Sequence, residues 1–322
     1  MKTIQIGSTN LTSSAVALGV MRIADKTSEE AQKIVETALA SGINFFDTAD
    51  IYGSGQSSIV FGQALKDAGV KRDEIFIQSK AGIILPNGQI NGDGERGPRF
   101  DFSYDHLIAS VDIELERLQT DYLDTFLLHR PDTLVDINEL ARAFTDLKTA
   151  GKVHHFGVSN MNPYQIALIQ NALGEEKLQI DQLQFGIMHT NMIDSELHVN
   201  MNDAASVDHD GGILSYTRLH NLTIQAWSPF QFGFFEGVFI DNEKFPELNQ
   251  TLKKLASKYD VSKSAIAVAW ILHHPANMQV IIGSMTPSRI IDMTKLDFQL
   301  TNQEWYDAVS YTHLTLPTTE RV

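Results

Sequence analysis

The sequence of 322 residues contains no cysteine, and this absence excludes three classes of site. Without thiols the chain has no disulfide framework, no thiolate ligand for a metal ion and no cysteine nucleophile. No other set of side chains has the spacing of a metal site, so we predict none. The lack of cysteine leaves the redox compartment open, although it is compatible with the cytosol.

Basic residues are in deficit as well. The chain has 25 Lys and Arg against 40 Asp and Glu, which gives a net charge of −15 and a pI near 5.1. A surface with this charge repels DNA, RNA and anionic lipid on average, although a local basic pocket could still hold a phosphate. We therefore predict neither a nucleic-acid partner nor a membrane partner.

Long apolar runs are missing too. The longest, such as Ala265–Leu272, are far too short to cross a bilayer. The N-terminal segment Met1–Gly19 is polar and has neither the basic nor the apolar region of a signal peptide. A hydrophobic fraction of 43% and a charged fraction of 20% are typical of a globular protein. We expect a soluble cytoplasmic protein, and nothing in the sequence implies an oligomer.

What the sequence does contain is an alternation of short apolar runs with amphipathic segments. Eight runs predict strands: Ala15–Leu18, Asn44–Phe46, Ile75–Gln78, Tyr122–Leu128, Val153–Val158, Gln182–Phe185, Thr223–Ala226 and Val280–Ile282. Five segments with apolar residues at spacings of three and four predict helices: Ser28–Ala40, Ser103–Leu118, Ile137–Ala150, Pro163–Ala172 and Ser262–His273.

Strands followed by helices indicate right-handed βαβ units, which close into a barrel or form an open sheet. An open dinucleotide-binding sheet begins with G-x-G-x-x-G after its first strand, but Gly19 stands there without the partner glycines. The nearest match, at Gly53 and Gly55, lacks the third glycine because Ser58 occupies that position. We predict a (β/α)₈ TIM barrel whose bottom is closed by a short N-terminal β-hairpin.

The barrel is predicted to be a single domain over residues 1–310. The last segment, Tyr311–Val322, has four threonines and no helical periodicity, so we treat residues 311–322 as an atypical tail. It is either a native cover for the pocket or a foreign extension, and we favour the foreign extension.

Polar residues close three of the predicted strands. Asp47, Lys80 and His129 each follow an apolar run, and Tyr52 lies in the loop just beyond Asp47. Because the ends of adjacent barrel strands are neighbours, we expect these side chains to meet at the C-terminal face, where barrel enzymes have their active sites.

A cluster of these four groups suits the reduction of a carbonyl. A free tyrosine has a pKa of about 10, and an ammonium beside the phenol lowers that pKa. Lys80 can supply this charge if Asp47 holds it in place. Tyr52 would then protonate the carbonyl oxygen, and His129 would orient and polarise the carbonyl.

Each of these residues, taken alone, has a more ordinary role. A single Asp or His at a strand end is more often a structural hydrogen-bonding group, and a Tyr near a turn is usually a packing residue. Lys80 alone could also be a Schiff-base lysine, as in barrel aldolases. The joint pattern is what favours a reductase.

Four dispersed motifs resemble the aldo-keto reductase superfamily: F-F-D-T-A-D-I-Y-G at 45–53, S-K at 79–80, L-L-H-R-P-D at 127–132 and G-K-V-H-H-F-G-V-S-N at 151–160. The resemblance covers roughly residues 1–305 and is strongest to bacterial oxidoreductases. It implies the catalytic tetrad of that family at Asp47, Tyr52, Lys80 and His129. It also implies an NADPH-dependent enzyme that reduces aldehydes or ketones, or alternatively a redox-sensing subunit with little turnover.

The resemblance further implies the residues that bind NADP(H). Ser159, Asn160 and Gln184 would hydrogen-bond the nicotinamide carboxamide, and Trp227, followed by Ser228, would stack on its ring. Beyond the last strand, Ser284 and Arg289 would bind the adenosine 2′-phosphate at a helix N-terminus.

Two positions depart from the family pattern. Gly283 stands where a lysine often helps to bind the phosphate, and Met293 stands where an amide often holds the adenine. Six phenylalanines between 230 and 245 suggest an apolar wall for the substrate pocket, although some of them belong equally well in the core.

Overall fold

The eight predicted strands form a closed parallel barrel in the computed structural model, which describes residues 1–85, 99–203, 206–233 and 236–309. The barrel strands, in their order around the barrel, are β3 (Val16–Gly19), β4 (Phe45–Asp47), β5 (Phe76–Ala81), β8 (Leu123–His129), β9 (Val153–Ser159), β10 (Leu178–Gln184), β11 (Thr223–Trp227) and β12 (Met278–Ile282). The remaining strands form two short antiparallel hairpins: β1 (Thr3–Gln5) with β2 (Thr12–Ser14), and β6 (Ile83–Ile84) with β7 (Arg99–Phe100). The predicted TIM barrel is confirmed.

Helices surround the barrel. Within the described ranges they are α1 (Ser28–Ala40), α2 (Gln56–Asp67), α3 (Tyr104–Leu118), α4 (Ile137–Thr149), α5 (Pro163–Leu173), α6 (Asn191–Leu197), α7 (Ile213–Leu219), α8 (Pro246–Tyr259), α9 (Lys263–His273), α10 (Pro287–Met293) and α11 (Asn302–Val309). Side chains cap several of them: Thr27 and Glu30 form a capping box on α1, and Ser103 and Ser262 cap α3 and α9. The local sequence therefore sets where these helices begin.

The first hairpin closes the bottom of the barrel, as the sequence predicts. Ile6, at the end of β1, is fully buried in a cluster inside the barrel that includes Phe45 and Leu127. The Gly7 amide donates to the Thr223 hydroxyl at 2.8 Å. Gly7 has a φ of +52°, and a Cβ there would lie 2.8 Å from the carbonyl oxygen of Gln179, so this contact requires glycine.

A pair of tryptophans fixes the C-terminal helix α11 to α9. Trp270 and Trp305 stack with ring centroids 4.8 Å apart, and the indole N–H of each donates to the backbone carbonyl of the other at 3.0 Å. The described chain ends at Val309, which is buried. The predicted tail over 311–322 lies outside the described residues.

The differences from the predictions concern the connections. Helices α6, α7, α8 and α11 were not among the predicted helices. Of the phenylalanines between 230 and 245, Phe232 and Phe239 are buried in the main core, which is the alternative that the sequence left open, and Phe234 and Phe235 lie outside the described residues. No helix in the described ranges has the length and apolar character needed to span a membrane.

Candidate active site

Three members of the predicted tetrad lie on neighbouring strands of the barrel. Asp47 ends β4, Lys80 lies on β5 and His129 ends β8, and these strands are adjacent in the closed sheet. The Lys80 ammonium is 2.7 Å from Asp47 Oδ1 and donates to the Thr48 carbonyl, also at 2.7 Å. Lys80 is fully buried. The structure therefore contains the predicted ion pair.

Tyr52 reaches the same place from a tight turn. It begins a short 3₁₀ segment, Tyr52–Gly55, in which Gly53 and Ser54 both have positive φ. The Lys80 Nζ atom lies 4.9 Å from the centroid of the Tyr52 ring. The side chains of Lys80 and Tyr52 are also hydrogen-bonded to each other. The His129 ring is edge-on to the same tyrosine, with centroids 5.9 Å apart. All four predicted residues are thus brought together.

Two of the predicted carboxamide-binding residues adjoin His129. Ser159 pairs with His129 in the ladder between β8 and β9. Its hydroxyl accepts a hydrogen bond from the Asn160 side-chain amide at 2.7 Å and donates to the Gln182 carbonyl at 3.1 Å. Asn160 adopts a positive φ of 56° as the chain leaves β9.

Trp227, Gln184 and Ser228 complete this corner of the barrel. Trp227 ends β11 opposite Gln184 of β10, and its indole N–H donates to Asn160 Oδ1 at 3.3 Å. Ser228 follows with a positive φ of 48°, which turns the chain away from the strand. Five predicted nicotinamide-binding residues therefore lie together, beside the tetrad.

A cavity of about 510 Å³ opens beside these residues. Its lining is Arg130, Asn160, Met161, Asn162, Gln165, Leu183, Gln184, His189, Asn191, Met192, His209, Asp210, Ile213 and Trp227. Nine of these fourteen side chains are polar or charged. Tyr52 and His129 are not among them, although Arg130, which follows His129 directly, is.

Ser284 and Arg289 follow the last barrel strand, β12. Ser284 Oγ accepts a hydrogen bond from the Thr286 amide at 3.3 Å, and Arg289 is exposed on the first turn of α10. A Cβ at Gly283 would meet no heavy atom within 4 Å, so the surface beside it is open. Neither residue lines the cavity.

The sequence matches the model of the Aldo/keto reductase family over residues 15–310. The chain belongs to this family. It is 30% identical over 299 residues to the 6-dehydroglucose reductase of Agrobacterium fabrum, with 91% of this chain and 92% of that protein covered. It is also 31% identical over 311 residues to the 6-dehydroglucose reductase of Novosphingobium aromaticivorans, at 94% and 92% coverage.

The fold has a close match among solved structures as well. The thermostable aldo-keto reductase Tm1743, in complex with the inhibitor epalrestat, superposes with a TM-score of 0.76 at 24% identity, covering 97% of this chain and all of that one. The protein is accordingly an NAD(P)H-dependent oxidoreductase that reduces carbonyl groups.

Burial controls the charge state of the tyrosine in this aldo/keto reductase. The pKa of Tyr52 is raised above its ordinary value, chiefly because burial disfavours the phenolate, while Lys80 opposes the shift. The expectation that Lys80 lowers this pKa is correct for the effect of the ammonium but wrong for the net result. Tyr52 is protonated at neutral pH, which is the state that a proton donor needs.

Lys80 keeps its proton because its partners outweigh the effect of burial. Burial disfavours the ammonium, but attraction to Asp47 and Tyr52 and hydrogen bonds to both outweigh it and raise the pKa of Lys80. A Schiff-base lysine must be a neutral amine to attack a carbonyl. The ion pair with Asp47 therefore argues against the aldolase alternative.

His129 is uncharged. Its pKa lies well below the ordinary value because burial disfavours the imidazolium, and the positive charges of Lys80 and Arg130 act in the same direction. Its Nδ1 atom is buried without a hydrogen-bond partner in the described part of the chain. A neutral imidazole at this place can donate a hydrogen bond to a carbonyl oxygen from its one N–H group.

Gln182 is a site residue that was not predicted from the sequence. This residue stands directly opposite Ser159 in the ladder between β9 and β10, and its side-chain amide donates to Asp47 Oδ1 at 2.9 Å. The signal was available, because the period-2 alternation of β10 places Gln182 and Gln184 on the same inward face. Only the second of the two was assigned a role.

We predict that His129 stays neutral through the pH range in which an ordinary histidine gains its proton, because its environment disfavours the imidazolium. The ring nitrogens can be followed by long-range ¹H–¹⁵N correlation spectra during an acid titration. The His129 signals are assigned by their loss in His129→Asn. A titration of these signals near the ordinary value of about 6.5 would contradict the assignment of a neutral hydrogen-bond donor.

Proposed function

We propose that this protein is an NADPH-dependent reductase of aldehydes and ketones with Tyr52 as its proton donor. The observation that carries the proposal is the contact between the protonated Tyr52 and the Lys80–Asp47 ion pair, beside a neutral His129. This set contains an acid, a charge that stabilises its conjugate base, and a second hydrogen-bond donor.

Each group has a part in the reaction. A bound reduced nicotinamide supplies the hydride that forms the new C–H bond at the carbonyl carbon. As negative charge develops on the carbonyl oxygen, Tyr52 transfers its phenolic proton to that oxygen and completes the alcohol. Lys80 stabilises the phenolate that remains, and Asp47 holds Lys80 in place. His129 hydrogen-bonds the carbonyl oxygen and fixes its direction.

The residues beside the tetrad have the chemistry that a nicotinamide requires. Ser159, Asn160 and Gln184 offer hydroxyl and amide groups for the carboxamide, and Trp227 offers an aromatic face against which the ring can stack. Ser228 turns the chain at the edge of that face. Stacking determines which face of the nicotinamide meets the substrate, and the amide contacts determine its rotation.

NADPH is proposed over NADH because of the residues after β12. Arg289 is an exposed cation with no ion-pair partner among the described residues, and Ser284 stands at the turn before α10. An adenosine 2′-phosphate between them would receive a charge-assisted hydrogen bond from the guanidinium.

Tyr52→Phe removes the transferable proton and little else. We expect kcat for carbonyl reduction to fall by about a thousandfold or more, while the affinity for NADPH changes by less than about threefold. Turnover is measured by NADPH absorbance and binding by quenching of tryptophan fluorescence. Tyr164→Phe, at an exposed tyrosine of α5, is the matched control and should behave as the unmodified protein. Near-normal turnover of Tyr52→Phe would show that the tetrad is wrongly assigned.

Arg289→Ala tests the cofactor preference. Loss of one charge-assisted contact to phosphate is expected to weaken NADPH by about 10-fold to 100-fold and to leave NADH within about twofold. Dissociation constants for both cofactors are measured side by side. Arg218→Ala, at an exposed arginine of α7, controls for loss of surface charge. An equal effect on both cofactors would remove the role in 2′-phosphate binding.

The cavity beside the tetrad points to the kind of carbonyl that is reduced. The polar residues of its lining that are not assigned to the nicotinamide suit a ligand with several hydroxyl groups better than a hydrocarbon chain; they are Arg130, Asn162, Gln165, His189, Asn191, His209 and Asp210. The relatives from Agrobacterium fabrum and Novosphingobium aromaticivorans are both named 6-dehydroglucose reductase, which agrees with this chemistry. We infer that the substrate is a polyhydroxylated aldehyde or ketone.

His209→Leu tests the substrate inference, because His209 lines the cavity and lies outside the tetrad. We expect kcat/KM for sugar-derived carbonyls to fall by about tenfold, as one polar contact to the substrate is lost, with little change for propionaldehyde. His220→Leu, at the end of α7 and outside the cavity lining, is the control. Parallel losses for both kinds of substrate would exclude a role of this cavity in recognising hydroxyl groups.

A redox-sensing subunit with little turnover is the alternative. Such a subunit would need a cofactor site but no proton donor. The assembled contact between Tyr52, Lys80 and Asp47 favours an enzyme that turns over.

A further inference from the structure

Four glutamine side chains cross the interior of the barrel beneath the tetrad. They are Gln78 on β5, Gln182 on β10, Gln225 on β11 and Gln279 on β12, and each is at most 3% exposed. Buried amides cost free energy unless their donors and acceptors are paired. Every one of these four is paired with a neighbour, so the polar layer is a built feature of the barrel.

The upper end of this layer is Asp47. Its Oδ1 atom accepts hydrogen bonds from the side-chain amides of Gln78 at 2.6 Å and Gln182 at 2.9 Å, in addition to the contact with Lys80 at 2.7 Å. Three donors from β5 and β10 therefore converge on one carboxylate oxygen. The carboxylate cannot rotate without breaking several of these bonds.

The middle of the layer fixes the direction of both donors. Gln225 Oε1 accepts from the amide of Gln78 at 2.7 Å and from that of Gln182 at 3.0 Å. Thr125 donates to Gln78 Oε1 at 2.9 Å, which fixes the other end of that amide. Gln78 and Gln182 thus present their N–H groups to Asp47 and Gln225 together.

The contacts at the lower end of the layer fix the same orientation of the glutamine amides. Gln279 donates to the backbone carbonyl of Ser14 at 2.8 Å and to the Ser13 hydroxyl at 3.0 Å, at the hairpin that closes the bottom. Its Oε1 is therefore left to accept from the amide of Gln225, at 2.9 Å. A backbone carbonyl at one end and a carboxylate at the other accept only, so the amides between them have one orientation.

We propose that Gln78 and Gln182 are positioning residues, which hold the Asp47–Lys80 pair in place and set the acidity of Tyr52. The proposal rests on the proton-donor role of Tyr52. Asp47 raises the pKa of Tyr52 through its negative charge. Amide N–H dipoles aimed at the carboxylate offset part of that charge and keep the phenol more acidic than it would otherwise be.

Packing alone would not require this arrangement. The buried cluster elsewhere inside the barrel is apolar and includes Phe45, Leu127 and Ile180. Barrel interiors are ordinarily filled with branched apolar residues. The amides that touch Asp47 are therefore explained by the charge that they surround.

Gln78→Met tests the proposal, because methionine has a similar volume and lacks the donor. We expect kcat to fall by about tenfold with KM within about twofold. The alkaline limb of the pH profile of kcat, where the proton donor loses its proton, should move up by about half a pH unit. An alkaline limb at the unmodified pH in a folded Gln78→Met protein would overturn the proposal.

Two further variants keep the test decisive. Thr125→Val leaves Gln78 in place but removes the bond that fixes its amide, so the alkaline limb should move in the same direction by a smaller amount. Gln279→Met breaks the links to the hairpin and to Gln225 but leaves both amide bonds to Asp47, so it should lower the thermal midpoint while the alkaline limb stays in place. If the alkaline limb moved as far in Gln279→Met as in Gln78→Met, the shift would come from general loosening of the barrel, and the proposal would be wrong.

The activity of Tyr52→Phe distinguishes a failure of this proposal from a failure of the proposed function. If Tyr52→Phe is inactive while the alkaline limb is the same in all three variants, Tyr52 is the donor and the glutamines are structural. If Tyr52→Phe is active, the donor itself is misassigned and both proposals fall.

Discussion

The buried ion pair between Lys80 and Asp47 is the interaction on which the rest of the site depends. Placing two charges inside a barrel costs several kcal/mol for each ion, and mutual attraction offsets this only when the remaining hydrogen-bonding capacity is also satisfied. The Thr48 carbonyl accepts a further hydrogen bond from Lys80, and two glutamine amides donate hydrogen bonds to Asp47. The polar layer beneath the tetrad is thus a consequence of burying the pair.

Closure of the barrel supplies the geometry that this pair needs. Strand β5 is the neighbour of β4, whereas β10 is far from both in sequence, yet β5 and β10 both contribute groups that touch Asp47 of β4. An open sheet would not bring β10 back toward β4. The hairpin at the bottom and the tryptophan pair between α9 and α11 secure the same barrel from outside the site. The barrel that carries the site is therefore stabilised by contacts that lie outside the site.

Much of the fold follows from local pattern. The helix Ser28–Ala40 has the predicted bounds because its capping box and its apolar spacing agree, and all eight strands fall within a few residues of their predictions. Helix α8 was missed although Leu248, Leu252 and Leu255 have helical spacing and are buried. Its many polar residues conceal that stripe.

The site was predictable in its members but not in its electrostatics. Strand ends identify Asp47, Lys80 and His129, because parallel strands finish at one face. The net direction of the Tyr52 pKa depends on how deeply the ring is enclosed, and no spacing in the sequence reports that depth. The same holds for Gln78 and Gln182, whose roles depend on contacts across the barrel with residues of other strands.

One low-dielectric environment then assigns opposite shifts to two neighbouring rings. Burial disfavours the charged form of each group, so it raises the pKa of Tyr52 and lowers that of His129. Both rings are left neutral and protonated on an atom that can donate a hydrogen bond. Lys80 escapes the same effect because Asp47 is in direct contact with it. Burial therefore leaves Tyr52 and His129 as neutral hydrogen-bond donors beside the positive charge of Lys80. This distribution of donors and charge stabilises a developing alkoxide.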